Sequence, residues 1–198
     1  MSDPHLQQNR VDYKLKAARR HLDNLRQVEA AAGSLVSSND RMHVEMEIDE
    51  FLYQLIGVKD ALLQEINCEF HLGIALDKVG IGEVNRELYQ KRPDARDVTE
   101  EICSMLSAPQ NSLWLVNYFH NHSKHRTIIG KAINMVIGGS KEGITVAFID
   151  PRTNSPLRTN KGKQKPIIEY LEESYAGIEE LQKIVRDKIS RYCNSAGT

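Results

Sequence analysis

The sequence predicts a mainly α protein, an up-and-down helical bundle of four or more helices with a β-hairpin inserted before the C-terminal helix. Two observations lead there. Apolar residues recur at steps of three and four through several long stretches, and the period drops to two for a short interval after Arg126. A length of 198 residues suits a single domain over 1–198, with 131–165 as the hairpin and basic loop insertion. Hydrophobic residues at 40% and charged residues at 27% can build a core, which excludes wholesale disorder.

The first helix is expected from Asn9 to Ala32, because Val11, Leu15, Ala18, Leu22, Leu25 and Val28 share one face. Gly33 and Ser37-Ser38-Asn39-Asp40 break it, and Ser38 or Asn39 is placed to cap the next helix. That second helix is expected from Arg41 to Ile74 on the stripe Val44, Ile48, Leu52, Leu55, Leu62, Ile66 and Phe70. It would run roughly 50 Å and form the spine. Gly57 inside it costs about 1 kcal/mol relative to alanine, which predicts a local packing reason or a bend.

Val84 to Lys91 reads as a short helix stopped by Pro93, and Asp94 to Leu106 as another. Ser112 to His125 follows, carrying Leu113, Trp114, Val116 and Phe119. Ile133, Met135 and Ile137 then alternate with other residues, as do Ile144, Val146 and Phe148, around a Gly138–Gly143 turn; this is hairpin patterning. Pro166 opens the last helix, whose stripe Ile167, Leu171, Ile178, Leu181, Val185 and Ile189 continues to Tyr192.

Net charge of −1 excludes a protein that coats nucleic acid by overall charge. Cys68, Cys103 and Cys193 have no CxxC spacing and read as reduced thiols. Met1 to His5 lacks the start of a signal peptide, and no stretch is apolar enough to span a bilayer. The expectation is a soluble, cytoplasmic protein without membrane contact.

The densest polar chemistry is Asn117-Tyr118-Phe119-His120-Asn121-His122-Ser123-Lys124-His125-Arg126. Asn121 and His125 stand four apart on one helical face. A solvated helix end favoured by the macrodipole explains the same residues. A metal cluster through His120, His122, His43 or His71 lacks the usual ligand spacing. The segment His120-Asn121-x-x-x-His125 resembles the Arg-Asn-x-x-x-His signature of the HEPN superfamily of small helical bundles, with His120 at the arginine position. The resemblance implies RNA binding or metal-independent endoribonuclease activity, in toxin–antitoxin or phage-defence settings. It further implies a homodimer, a protein antitoxin or other partner, and no cofactor. His125 would be the general acid or base, Asn121 an orienting hydrogen-bonder, and His120 the phosphate-stabilising third member.

Asp60, Gln64 and Asn67 form a polar line on the second helix, either an exposed flank or support behind the histidines. From Asn117 to Lys165 nine lysines and arginines face two acids, a net +7, which leaves −8 for the remainder. Lys124, Arg126, Arg158, Lys161 and Lys163 are the expected RNA contacts. The competing reading is a non-catalytic interaction module, in which the bundle dimerises or holds a partner and the histidine segment is structural.

Overall fold

The computed structural model describes residues 4–35, 41–107, 111–125, 131–136, 143–150, 152–159 and 161–195; for 4–8, 112, 122–125, 131–136, 143–146 and 195 the description covers the backbone alone. The elements in chain order are α1 (Pro4–Ala32), α2 (Arg41–Glu69), α3 (Ile81–Lys91), α4 (Glu100–Ser107), α5 (Ser112–His125), β1 (Lys131–Val136), β2 (Gly143–Asp150), β3 (Ser155–Pro156) and α6 (Ile167–Ser195). This is the mainly α bundle, with its hairpin before the last helix, that the two periods predict.

α1 buries the expected stripe of Val11, Leu15, Ala18, Leu22 and Leu25. α6 does the same with Leu171, Ile178, Leu181, Val185 and Ile189. α2 buries far more than one stripe. Phe51, Leu52, Leu55, Val58, Leu62, Leu63 and Ile66 point in too many directions for a one-sided helix. It is covered by α1, α5 and α6 together. Lys14 meets Gln54 and His21 meets Glu47, so α1 and α2 are antiparallel. Arg26 meets Glu172 and Asp12 meets Arg186, so α6 is antiparallel to α1 and runs alongside α2 in the same direction.

Several boundaries differ from the sequence reading. α2 ends at Glu69 rather than Ile74, giving about 44 Å of helix. His71 takes a φ of 52° and Gly73 a φ of 75°, and the Leu72 N–H turns back to the Asn67 carbonyl at 3.0 Å. The expected helix over Asp94 to Leu106 divides into a 3-10 turn at Pro93–Val98 and α4, with a break at Ala95. α1 begins at Pro4, and α6 extends to Ser195. The caps expected from Ser38 or Asn39, the strand residue Ile137 and the expected turn from Gly138 to Glu142 lie outside the described residues, and Gly143, expected in that turn, begins β2.

β1 and β2 pair antiparallel from Lys131↔Phe148 to Val136↔Gly143, and β2 pairs with β3 through Ile149↔Pro156. A bare hairpin is marginal in water. Here Phe148 inserts against Phe119 of α5 and Tyr170 of α6, with ring centroids 5.1 and 5.4 Å away. The insertion is therefore fastened to the bundle by an aromatic cluster.

A second fastening joins the three long helices. Glu65, 1% exposed, accepts from Arg186 Nε at 3.1 and 3.3 Å, while Arg186 Nη1 donates to Asp12 at 2.8 Å. Glu65 and Arg186 wall a cleft of about 310 Å³ with Glu69 and Cys193. Burial raises the Glu65 pKa above the usual carboxylate range, against the pull of Arg186. Arg186→Ala is expected to destabilise the protein by about 3–5 kcal/mol in urea unfolding at neutral pH, because it strands a buried carboxylate. The raised pKa means that stability tied to Glu65 is greatest below the usual glutamate range and is lost as pH rises through the folded value. The variant's deficit should therefore narrow as pH falls.

Candidate functional site

α5 turns Leu113, Val116 and Phe119 into the core at steps of three. That placement leaves Asn117 and His120 half-buried at the flank and Asn121 exposed. The His120 ring lies 5.8 Å from the Tyr53 ring of α2, tilted by 42°. Lys124 and His125 occupy the last turn of α5, where their side chains fall outside the described residues, as does Arg126 altogether. The expected trio of His120, Asn121 and His125 thus shares one helix, and His120 is its member with a described neighbour on α2.

That neighbour leads to a residue the sequence reading missed. The Lys14 ammonium of α1 sits 4.6 Å from the Tyr53 ring centroid and donates to Gln54 Oε1 at 2.9 Å. A methyl group at Gly57 would stand 2.9 Å from both Cδ and Cε of Lys14. Gly57 is therefore the notch through which the lysine stem crosses α2, which is the packing reason its helix-breaking cost predicted. Desolvation lowers the Lys14 pKa; Arg10 adds to the effect, and Glu50 and Asp60 oppose it.

The polar line on α2 divides by function. Asp60 is exposed and lies 3.1 Å from Lys59. Gln64 donates to the Leu76 carbonyl at 3.1 Å. Asn67 both donates to and accepts from the Ile74 backbone at 3.0 Å. Gln64 and Asn67 hold the chain that leaves α2, while Asp60 stands close enough to Lys14 to act on its charge. Farther along the α1–α2 seam, buried Glu47 accepts from His21 Nδ1 at 2.7 Å and Asn24 at 3.1 Å. His43 lies 3.7 Å from the same carboxylate. Among the described residues no group of three or more His, Cys, Asp or Glu is arranged to hold a metal ion.

Among the described residues the basic segment also divides into two sets. Arg152 is held by Asp150, which accepts from its Nε at 2.8 and 3.0 Å, and its guanidinium lies 4.5 Å over the Trp114 ring of α5. Trp114 in turn stacks on Tyr118 at 5.0 Å. Lys165 pairs with Glu173 of α6. Arg158, Lys161 and Lys163 sit exposed on the tip that follows β3. The Arg158↔Gln164 bridge closes that tip, Gly162 turns it with a φ of 77°, and Arg158 donates to the Gly162 carbonyl at 2.6 Å. Among the described residues these three cations have no carboxylate partner within ion-pair distance.

No helix among the described residues is long and apolar enough to cross a membrane. Compared with family models, characterised proteins and solved structures, the chain matches none.

The Asp150–Arg152 pair holds the insertion on α5, and the guanidinium keeps the Asp150 pKa below the usual aspartate value. Asp150→Asn is expected to cost about 1.5–3 kcal/mol at neutral pH, the worth of a charged hydrogen bond, in chemical denaturation. A depressed folded pKa contributes stability above the ordinary aspartate range, and that stability is lost as pH falls through the folded value. Wild type and variant should therefore converge in strong acid.

Proposed function

We propose that this is a HEPN-like protein that binds RNA along the polar face of α5 and the basic tip after β3, and cleaves it without a metal ion. One observation carries the reading. Phe148 on Phe119 and Arg152 over Trp114 fasten the basic insertion to the same helix that carries His120, Asn121 and His125. A chain of net charge −1 has thereby gathered exposed cations on an element anchored beside its densest imidazole chemistry. Arg158, Lys161 and Lys163 offer fixed charge to successive phosphates, the sequence-independent part of RNA affinity.

In the cleavage step, His125 would take the proton of a ribose 2′-hydroxyl as that oxygen attacks the adjacent phosphorus. The bond to the 5′-oxygen then breaks, and that oxygen takes up a proton to leave as a hydroxyl, with a cyclic phosphate remaining. Asn121 would orient a phosphate oxygen, and protonated His120 would face the charge that develops on phosphorus. A homodimer and a protein antitoxin belong to the same proposal.

A second reading, a helical interaction module, draws on one feature. Met42, Met46 and Tyr53 are exposed on α2 at spacings of four and seven, which places them along one line of the helix. The readings separate in two assays. RNA binding should weaken when Arg158, Lys161 and Lys163 are all changed to alanine, and the slope of log affinity against log salt should flatten by about 2, near 0.7 per lost phosphate contact on a single strand. Cleavage in EDTA should disappear in His125→Ala with its thermal melt unchanged, and rise in His120→Arg. A wild-type protein that binds no RNA would favour the interaction module.

A further inference from the structure

We propose that Lys14, a residue of α1 outside the polar segment, contacts a backbone phosphate of the bound RNA and supplies the fixed positive charge beside His120. This rests on the RNA reading above.

Three features of its setting support the role. The first is the notch. α2 carries a glycine in mid-helix, at a cost of about 1 kcal/mol, where the Lys14 stem crosses it. A methylene stem lying in a groove has lost much of its rotamer freedom before any ligand arrives, so less is lost on binding. The second is the position of the ammonium. It stands 4.6 Å from the Tyr53 ring, which stands 5.8 Å from the His120 ring, so one tyrosine separates cation from imidazole. The HEPN-like signature has arginine where this chain has His120, and an imidazole alone offers charge only when protonated. Lys14 supplies that missing charge from across the Tyr53 ring.

The third feature is the electrostatic state of the amine. Gln54 takes one of its three N–H donors at 2.9 Å and brings no charge. Around it stand Arg10, Glu50 and Asp60, and Asp60 is already engaged by Lys59. The ammonium is thus partly dehydrated without a dedicated counter-ion among these groups, and burial lowers its pKa. A phosphate oxygen arriving at such a cation relieves the desolvation penalty, whereas at a fully hydrated surface lysine it would displace water for little gain.

The test is fluorescence anisotropy of a labelled single-stranded RNA oligonucleotide across a salt series, with wild type, Lys14→Met, Gly57→Ala and the double variant. Lys14→Met should bind about tenfold more weakly, the loss of one charged hydrogen bond. Its slope of log affinity against log salt should be shallower by about 0.7, which a purely structural role would not change. Gly57→Ala removes no charge and favours the helix, yet its methyl displaces the Lys14 stem. It should reproduce most of the loss, and the double variant should bind no worse than Lys14→Met alone. Thermal melts accompany each variant; if Lys14→Met does not fold, Gly57→Ala decides the matter. An unchanged affinity and salt slope in these variants, with wild type binding and the Arg158/Lys161/Lys163 variant impaired, overturns the role of Lys14 and leaves the RNA reading standing. Absence of binding by wild type overturns both.

Discussion

A helix covered on most of its sides needs partners for the polar residues it buries, and in this protein α2 is that helix, with Glu47, Gln54, Glu65 and Asn67 buried. Glu47 is matched by His21 and Asn24 of α1, Gln54 by Lys14 of α1, Glu65 by Arg186 of α6, and Asn67 by the backbone of Ile74. The first three tie α2 to α1 or α6 at one level each along its length, and the last fixes the chain that leaves it. An apolar spine of the same shape could slide or rotate against α1 at small cost, since dispersion and hydrophobic burial are not directional. The buried polar pairs are directional, and leaving one unmade costs more than making it contributes. The register of the bundle depends on them.

The proposed site sits at one of these ties. Lys14 reaches Gln54 only because Gly57 leaves room for its stem, and the same crossing delivers the ammonium to Tyr53 and so toward His120. The packing of α1 and α5 on α2 thus also sets the separation of a cation and an imidazole. The strand insertion joins the arrangement through α5. Phe148 enters the aromatic cluster of Phe119 and Tyr170, and Arg152 lies over Trp114, so the insertion that carries Arg158, Lys161 and Lys163 is fastened to α5 at these two residues.

The long helices were legible because their signal is periodic and local: three 29-residue helices announce themselves through apolar residues three and four apart. The hairpin was legible for the same reason, at a period of two. What the sequence concealed depends on contacts between distant residues or on a side chain that competes with the helix. The apolar stripe runs past Glu69 to Phe70, and nothing in it foretells that Asn67 will bond the Ile74 backbone and let the chain turn through His71. Gly57 stood out as a cost, but the lysine that occupies its notch is 43 positions away. The charge count located the basic segment without showing that Arg152 and Lys165 are neutralised by Asp150 and Glu173. Asp60, Gln64 and Asn67 do lie along one side of α2, yet two of them serve the chain that follows it. The polar segment of α5 was readable as a motif, and its link to α1 was not.

Ultraviolet crosslinking of the protein to single-stranded RNA, followed by peptide mapping, tests the proposed path most directly. Crosslinked nucleotides should appear on peptides containing Tyr53, on the 117–125 segment of α5 and on the 157–165 tip, with all three lost in competition by unlabelled RNA. Competable crosslinks confined instead to the Glu65–Arg186 cleft, or to the face of α6 away from α5, would contradict it.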